Sequence, residues 1–489
     1  MKHRNSICTI IVALLFTSCG GSFLDKDDPY ALTYDKMYHT EAEFQAAVNG
    51  CYFNLKGLLT YLLTFNEVAT DNAYLHKDNN TTQQWQFDRL TVASNAEWVK
   101  NFWNNSYKTI ASTNIVLTRI GKSEVPEASK KVFTSEAKFI RALSYFNMVR
   151  VYGGVPVYTQ EVADLNSTYN VGRSSVEDVY KLIIEDLESA VNIDAERSAA
   201  QQEHIAGKVN STAVKTLLAK VYMFVHNYNA AIPLLKDIIE HSGKDLIDLN
   251  DLYNPDTPIN NEVIFAVNFE RVNGQNNPFS REFLPKYSTG IVPIVDPNTS
   301  NGDGIYNIED NIVASFEAGD KRRSLIKAYI LAPEGGTSET FYYSTKYLDL
   351  NATLGTPFNS ASDFIFLRYA DVLLMMADAE NQTNGPANAY QYVNKIRNRA
   401  GLEGLPTGLT KESMNDVIAS ERQKEFLCEA DRWFDLSFRG FDYLKKTLNA
   451  FFPVSHTTSA VVKEHMNVFP LPDEQVNLKE GVLEQNPGY

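Results

Sequence analysis

The sequence predicts a mainly α protein in which tetratricopeptide-like helical hairpins frame a long loop-rich region carrying short strands. Three observations lead there. Apolar residues recur three and four apart through several paired segments, turn residues fall at the joints between them, and from 241 to 365 that periodicity gives way to Asn, Gly, Pro, Asp and aromatic residues.

The clearest hairpin lies in residues 211–240. Val214, Leu217, Leu218, Val221, Tyr222 and Val225 form one apolar stripe, and after a break near His226–Tyr228 a second set follows with Ala231, Leu234, Leu235 and Ile238. The alternation of small and large residues at Ala219, Tyr222, Ala231, Leu235 and Ile238 has the tetratricopeptide character. Residues 368–402 repeat the plan. Their joint is Gly385-Pro386, where Gly suits a chain reversal and Pro a first helical turn. Residues 135–156 and 176–191 predict a further pair. The repeats are scattered, so a simple tandem solenoid is excluded.

The loop-rich stretch carries two β-like runs, EVIFAVNF at 262–269 and TFYYSTKYL at 340–348. Irregular segments this long inside a compact protein tend to be functional. A smaller one covers 71–101. A ligand site is expected in these two regions.

The N-terminus carries its own signal. Lys2 and Arg4 precede a short apolar run from Ile7 to Phe16, then the small residues Thr17 and Ser18, then Cys19. The run is too short to cross a bilayer, which takes ~20 apolar residues. This is the pattern of an export signal over 1–18, with Cys19 as a lipidated first residue of the mature chain; an ordinary secretory signal with an incidental cysteine is the alternative. Removing the signal leaves 43 basic against 60 acidic side chains, a net charge of −17. That balance argues against nucleic acid as a partner, because phosphate binding needs a basic face. Cys51 and Cys428 remain, either paired or as two buried thiols, the latter being the default.

Catalytic motifs are absent. No two histidines stand three or four apart, and no Cys-x-x-Cys, Gly-x-Ser-x-Gly, Walker loop or Gly-x-Gly-x-x-Gly occurs. No cofactor is called for. Residues 299–310 (TSNGDGIYNIED) place Asn301, Asp303, Gly304 and Asp310 at calcium-loop offsets, but the first position is Thr299 and the last an Asp, so a surface turn reads better. Glu67 and Asp71 stand four apart, as paired glycosidase carboxylates could, and equally as any acidic helix face would. The crowd of Glu421, Arg422, Glu425, Arg432, Asp435 and Arg439 around Phe426, Trp433 and Phe434 reads as ion pairs on a packed helix.

Aromatic residues beside polar ones are more informative, because sugar C–H faces pack on rings while hydroxyls bond to carboxylates, amides and guanidinium groups. The candidate ligand-binding residues are Asp71, Tyr74 and Trp85 in the first loop region and Arg281, Tyr287 and Tyr343 in the second, with Phe279 and Tyr342 beside them. Trp103 and Trp433, inside helical patterns, are assigned to the core.

Taken together, the segments resemble the SusD/RagB family of surface lipoproteins from Bacteroidetes. SFLDKDDP after the cysteine, EAEFQAAVNGCYFNL (41–55), FWNNSYKTIASTNIVL (102–117), SEAKFIRALSYFNMVRVYGGVP (135–156) and VNSTAVKTLLAKVY (209–222) are similar to its N-terminal half. DFIFLRYADVLLMMADAEN (363–381), VNKIRNRAGL (393–402), ERQKEFLCEADRWFDLSFRG (421–440) and PLPDEQVNLKEGVLEQNPGY (470–489) are similar to its C-terminal half. The resemblance implies an N-terminal helical half over 19–240 and a C-terminal half over 241–489, with four tetratricopeptide-like pairs in one body. It implies a non-catalytic glycan-binding protein, anchored on the outside of the outer membrane, that delivers nutrient to a SusC-like TonB-dependent transporter. Peptide binding, as in RagB-type members, is the alternative within the family; a surface glycosidase or a helical scaffold that binds only protein are the alternatives outside it. Asp25, Asp27 and Asp28 resemble the family's surface-export signal, set a few positions further along than usual. The family's motifs are mostly scaffold, so no ligand contact is carried over from it.

Overall fold

The computed structural model describes residues 38–76, 83–197, 207–272, 274–285, 291–292, 302–331, 339–351, 359–456 and 460–489. The signal segment, Cys19, Tyr287 and the 299–301 part of the calcium-like stretch lie outside the described residues.

The chain is mainly helical. The longer helices are α1 (Glu41–Leu55), α2 (Glu97–Ile120), α3 (Glu127–Tyr152), α4 (Val176–Ala190), α5 (Ser211–Phe224), α6 (Tyr228–His241), α7 (Tyr369–Thr383), α8 (Pro386–Arg399), α9 (Lys411–Glu425), α10 (Arg432–Phe438) and α11 (Phe441–Phe451). Their starts follow from local chemistry. Thr40 and Glu43 form a reciprocal capping box on α1, and Ser175, Asn210, Asn227 and Thr410 each accept a backbone N–H in the first turn of α4, α5, α6 and α9.

Neighbours in sequence pack as antiparallel neighbours in space: α2 on α3, α3 on α4, α5 on α6 and α7 on α8, with α6 also against α7. The hairpin joints fall where the sequence places them. His226, at φ 55°, reverses the chain between α5 and α6, and Gly385, at φ 86°, does so before Pro386 opens α8. After α3, a Cβ on Gly154 would lie 2.4 Å from the Ser174 carbonyl oxygen, so only glycine lets the chain close back there.

Two sheets interrupt the helices. Strands β2 (Val263–Val267) and β7 (Phe364–Arg368) pair antiparallel, and Phe265 meets Phe139 of α3 at 4.9 Å between ring centroids. The other sheet runs β1 (Ala73–Leu75), β4 (Tyr306–Ile308), β6 (Glu339–Ser344), β5 (Ile326–Leu331), β3 (Ile291–Val292), with antiparallel pairing throughout. Both β-like runs of the sequence are therefore strands, β2 and β6. This second sheet pairs residue 74 with 307 and residue 308 with 342, and so joins the first loop region to the second. One large apolar core spans the helices and β2–β7, while Tyr74, Leu284, Tyr329, Phe341 and Tyr343 form a small separate cluster on the five-stranded sheet.

The acidic and basic crowd at 421–440 is structural, but its pairs run mostly between elements. Arg422 bonds Asp371 at 2.8 Å and Asp431 at 2.6 Å, Glu421 binds Arg322 and Arg397, and Arg439 spans Asp378 and Asp435. Arg368, 1 % exposed, sits among Glu262, Glu425 and Glu429. Only the Asp435 contacts of Arg432 and Arg439 keep the helical spacing expected for this crowd.

Candidate ligand-binding site

A cavity of about 440 Å³ opens at the β1 end of the five-stranded sheet. Five chain segments build it. Strand β1 supplies Tyr74 and Leu75, a short helical turn at Trp85–Asp88 supplies Trp85 and Asp88, the start of β6 supplies Glu339, Thr340 and Phe341, and Asp310 follows β4. The fifth contribution is His456, from the turn after α11. That volume lies within the 300–1,000 Å³ range typical of small-ligand sites.

The floor is apolar and the rim is charged. Tyr74, Leu75 and Phe341 are buried, whereas Asp310, Glu339, Thr340 and His456 are exposed. Tyr74 lies flat against His456, with ring centroids 4.0 Å apart and planes at 15°. One face of Tyr74 is therefore covered, and the imidazole is the more exposed ring of the stack. His456 Nε2 stands 3.6 Å from Asp310 Oδ2. Trp85 is partly exposed, with the Arg89 guanidinium 4.9 Å from its ring centre.

The Tyr74 hydroxyl is buried with no hydrogen-bond partner among the described residues. Burial holds this phenol well above the ordinary tyrosine range, and the Glu309 carboxylate adds to the rise. Tyr74 lines the cavity, and its protonated hydroxyl, buried among the described residues, keeps an unspent donor at a cost of ~1–3 kcal/mol. Behind it, Glu309 is buried, and its carboxyl is pushed up to about 8 by burial first and then by Asp88, even though it accepts the His456 backbone N–H.

Sequence reasoning brought together two of the residues found here. Tyr74 and Trp85 line the same cavity; Tyr74, expected as an open platform, is only 4 % exposed. The other candidates go elsewhere. Asp71 is spent on Arg432, with both carboxylate oxygens 2.7 Å from guanidinium nitrogens. Tyr343 is buried in the small aromatic cluster, and burial raises its phenol to about 12. Arg281 is paired with Asp303 at 2.8 Å and does not line the cavity. Phe279 is fully buried in the core, and Tyr342 packs beside it. Trp103 and Trp433 are core, as expected.

The paired-carboxylate and calcium readings also meet competing partners. Glu67 is buried and accepts bonds from the Asn72 amide and the backbone N–H groups of Cys428 and Ala430. Its role is to tie the 428–430 turn to the 64–68 segment. Asp303, a calcium-loop candidate, serves Arg281 instead, and among the described residues no group of three or more His, Cys, Asp or Glu side chains could hold a metal ion.

A second groove, of about 380 Å³, runs between α2, the 156–169 segment and the 475–479 turn. Two of its tyrosine hydroxyls are already engaged: Tyr107 donates to the Pro156 carbonyl at 2.7 Å, and Tyr158 accepts from Lys479 at 2.9 Å. The first cavity joins ring surface to three carboxylates, which makes it the stronger candidate for a polar ligand. His456 was the residue that the sequence hid. Its only signal is a polar Ser-His-Thr-Thr-Ser run directly after an apolar helix end, and nothing local connects it to Tyr74. No described helix is long and apolar enough to cross a membrane.

Comparison with known proteins agrees with this architecture. A family model described as "Starch-binding associating with outer membrane" matches residues 22–223, and one described as the SusD family matches residues 320–489. A SusD-like protein of Formosa agariphila is 26% identical over all of both chains. Among solved structures, a SusD superfamily protein from Parabacteroides distasonis is 25% identical with a TM-score of 0.76, covering 92% of this chain and 99% of that one. A laminarin binding SusD-like protein gives a TM-score of 0.77 at 21% identity, covering 92% of this chain and all of the other. With both halves matched in order, and relatives and solved structures agreeing along the chain, this protein belongs to the SusD/RagB family.

Proposed function

We propose that this chain is a non-catalytic glycan-binding lipoprotein that holds oligosaccharide in the cavity between Trp85 and the Tyr74–His456 stack. The observation that carries the reading is the joining of exposed ring surface and carboxylates in one cavity. Ring faces cover the apolar side of a sugar while hydroxyls and carboxylates bond its edge. The family's description as starch-binding supports it, as does the name of the laminarin binding neighbour. Against catalysis stand the structural engagements of Glu67 and Asp71, which leave that pair no open bond to work on.

In this reading Cys19 carries the lipid, the body stands on the outer face of the outer membrane, and a SusC-like TonB-dependent transporter receives the sugar. A net charge of −17 on the mature chain suits a body held at an anionic surface only by its anchor.

The test is a glycan and peptide screen by affinity gel electrophoresis and calorimetry, followed by Trp85→Ala. The variant is expected to lose at least tenfold in oligosaccharide affinity with its circular dichroism unchanged, a loss of about 1.4 kcal/mol or more. Unchanged affinity would remove the cavity from consideration, peptide-only binding would replace sugar with peptide, and sustained release of reducing ends would overturn the non-catalytic reading.

A further inference from the structure

We propose that this cavity selects uncharged or amine-bearing sugars and rejects those carrying uronate or sulfate groups. The inference rests on the reading of the cavity as a sugar site and adds the charge class of the ligand. Three carboxylates, Asp88, Asp310 and Glu339, line the cavity, and no lysine or arginine does so among the described residues. Among the described residues the one basic group in the lining is the His456 imidazole, and it already stands beside Asp310.

Arg432 is held by Asp71 at two points and Arg281 by Asp303, while the Arg89 guanidinium stands at the site, 4.9 Å from the Trp85 ring centre, without lining the cavity. Burial first, and Asp88, Asp310 and Asp71 after it, push the carboxyl of the neighbouring Glu309 up to about 8. An anionic sugar would add negative charge within a few ångströms of these groups, in a site partly screened from water, where like charges repel more strongly than in bulk solvent. A neutral sugar meets no such penalty. Its hydroxyls can donate to the rim carboxylates. An ammonium group would gain from both the carboxylates and the ring faces.

The test uses the mature chain and three ligands of equal length: a neutral oligosaccharide, the same molecule oxidised at C6 to the uronate, and an amino-sugar oligomer. The uronate is expected to bind on the order of tenfold more weakly than its neutral parent at low salt, and the amino sugar at least as tightly. Salt at 1 M, where the Debye length is ~3 Å, should narrow the gap. Asp310→Asn combined with Glu339→Gln should narrow it further, and since both side chains are exposed the variant keeps its fold. A uronate that binds as tightly as its neutral parent, while Trp85→Ala still weakens both, would overturn the charge selection and leave the site standing. Failure of all three to bind, or binding indifferent to Trp85→Ala, would bring down the site reading, and this inference with it.

Discussion

Asp71 grips Arg432 at two points, Oδ1 on Nε and Oδ2 on Nη2, each at 2.7 Å, across 361 residues of sequence. The pair fastens the segment that leads into β1 to the first turn of α10, and both groups are largely buried. Breaking a buried pair leaves one charge uncompensated, which costs ~3–5 kcal/mol. Asp71→Ala and Arg432→Ala are therefore expected to lower the unfolding free energy by that amount. A carboxylate that served the ligand instead would show its loss in sugar affinity with stability intact, and calorimetry beside chemical denaturation separates the two.

Tyr74→Phe removes a hydroxyl that has no partner among the described residues. Deleting an unsatisfied buried donor should leave stability unchanged or raise it by about 1 kcal/mol. Sugar affinity should hold, because the hydroxyl is buried away from the cavity's open space. His456→Ala is expected to weaken binding, because it strips the exposed ring from the stack. A Tyr74→Phe variant that is clearly less stable would show that the hydroxyl serves the fold.

How much of this could be read beforehand depends on the distance over which each feature is encoded. The α5–α6 and α7–α8 hairpins were legible because stripe, break and joint all lie within about forty residues, and Gly385-Pro386 states its geometry locally. Tyr74 and Trp85 were legible for the same reason, since both sit in one polar-aromatic stretch. Asp71 looked like a ligand carboxylate because its partner is far away in sequence, and Tyr343 looked available because an alternating strand does not announce which face is covered. His456 reaches the site only through the packing of the α11 end against β1. No local pattern could have supplied that.

Stability should peak in mildly acidic solution. Burial raises Glu67 to about 7 and Glu309 to about 8 from ordinary values near 4.5. In both, the folded state holds the proton more tightly than the unfolded state does, so their contribution is full below pH 4.5 and lost as pH rises through 7 and 8. The opposite limb comes from Asp431 and Glu425. Against the cost of burial, Lys220 and Arg422 hold Asp431, and Arg399 and Arg368 hold Glu425, well below the usual carboxylate range. Their contribution is present above the ordinary carboxylate pKa and lost as pH falls below it. Thermal unfolding from pH 4 to 9 should show the maximum between these limbs, and Glu309→Gln should flatten the decline on the alkaline side. A variant profile parallel to the parent's would remove Glu309 as its cause.

Cys51 and Cys428 are both fully buried and free, so the choice the sequence left open resolves to two separate thiols. Burial first, and Glu136 after it, pushes the Cys51 thiol up to about 12; burial and Glu67 raise Cys428 well above its ordinary range. The thiolate is the reactive form, so neither group should react with an aromatic disulfide reagent at pH 8 while the chain is folded. A chain beginning after Cys19 should release two equivalents in denaturant without any reductant. Reaction in dilute denaturant should then follow unfolding of the core that encloses both residues, one on α1 and the other in the left-handed turn, at φ 65°, that Glu67 ties down. Rapid labelling of Cys428 alone in native buffer would mean that this turn opens by itself. Glu67→Gln should hasten that opening, because the neutral amide accepts the two backbone N–H groups less strongly than a carboxylate does.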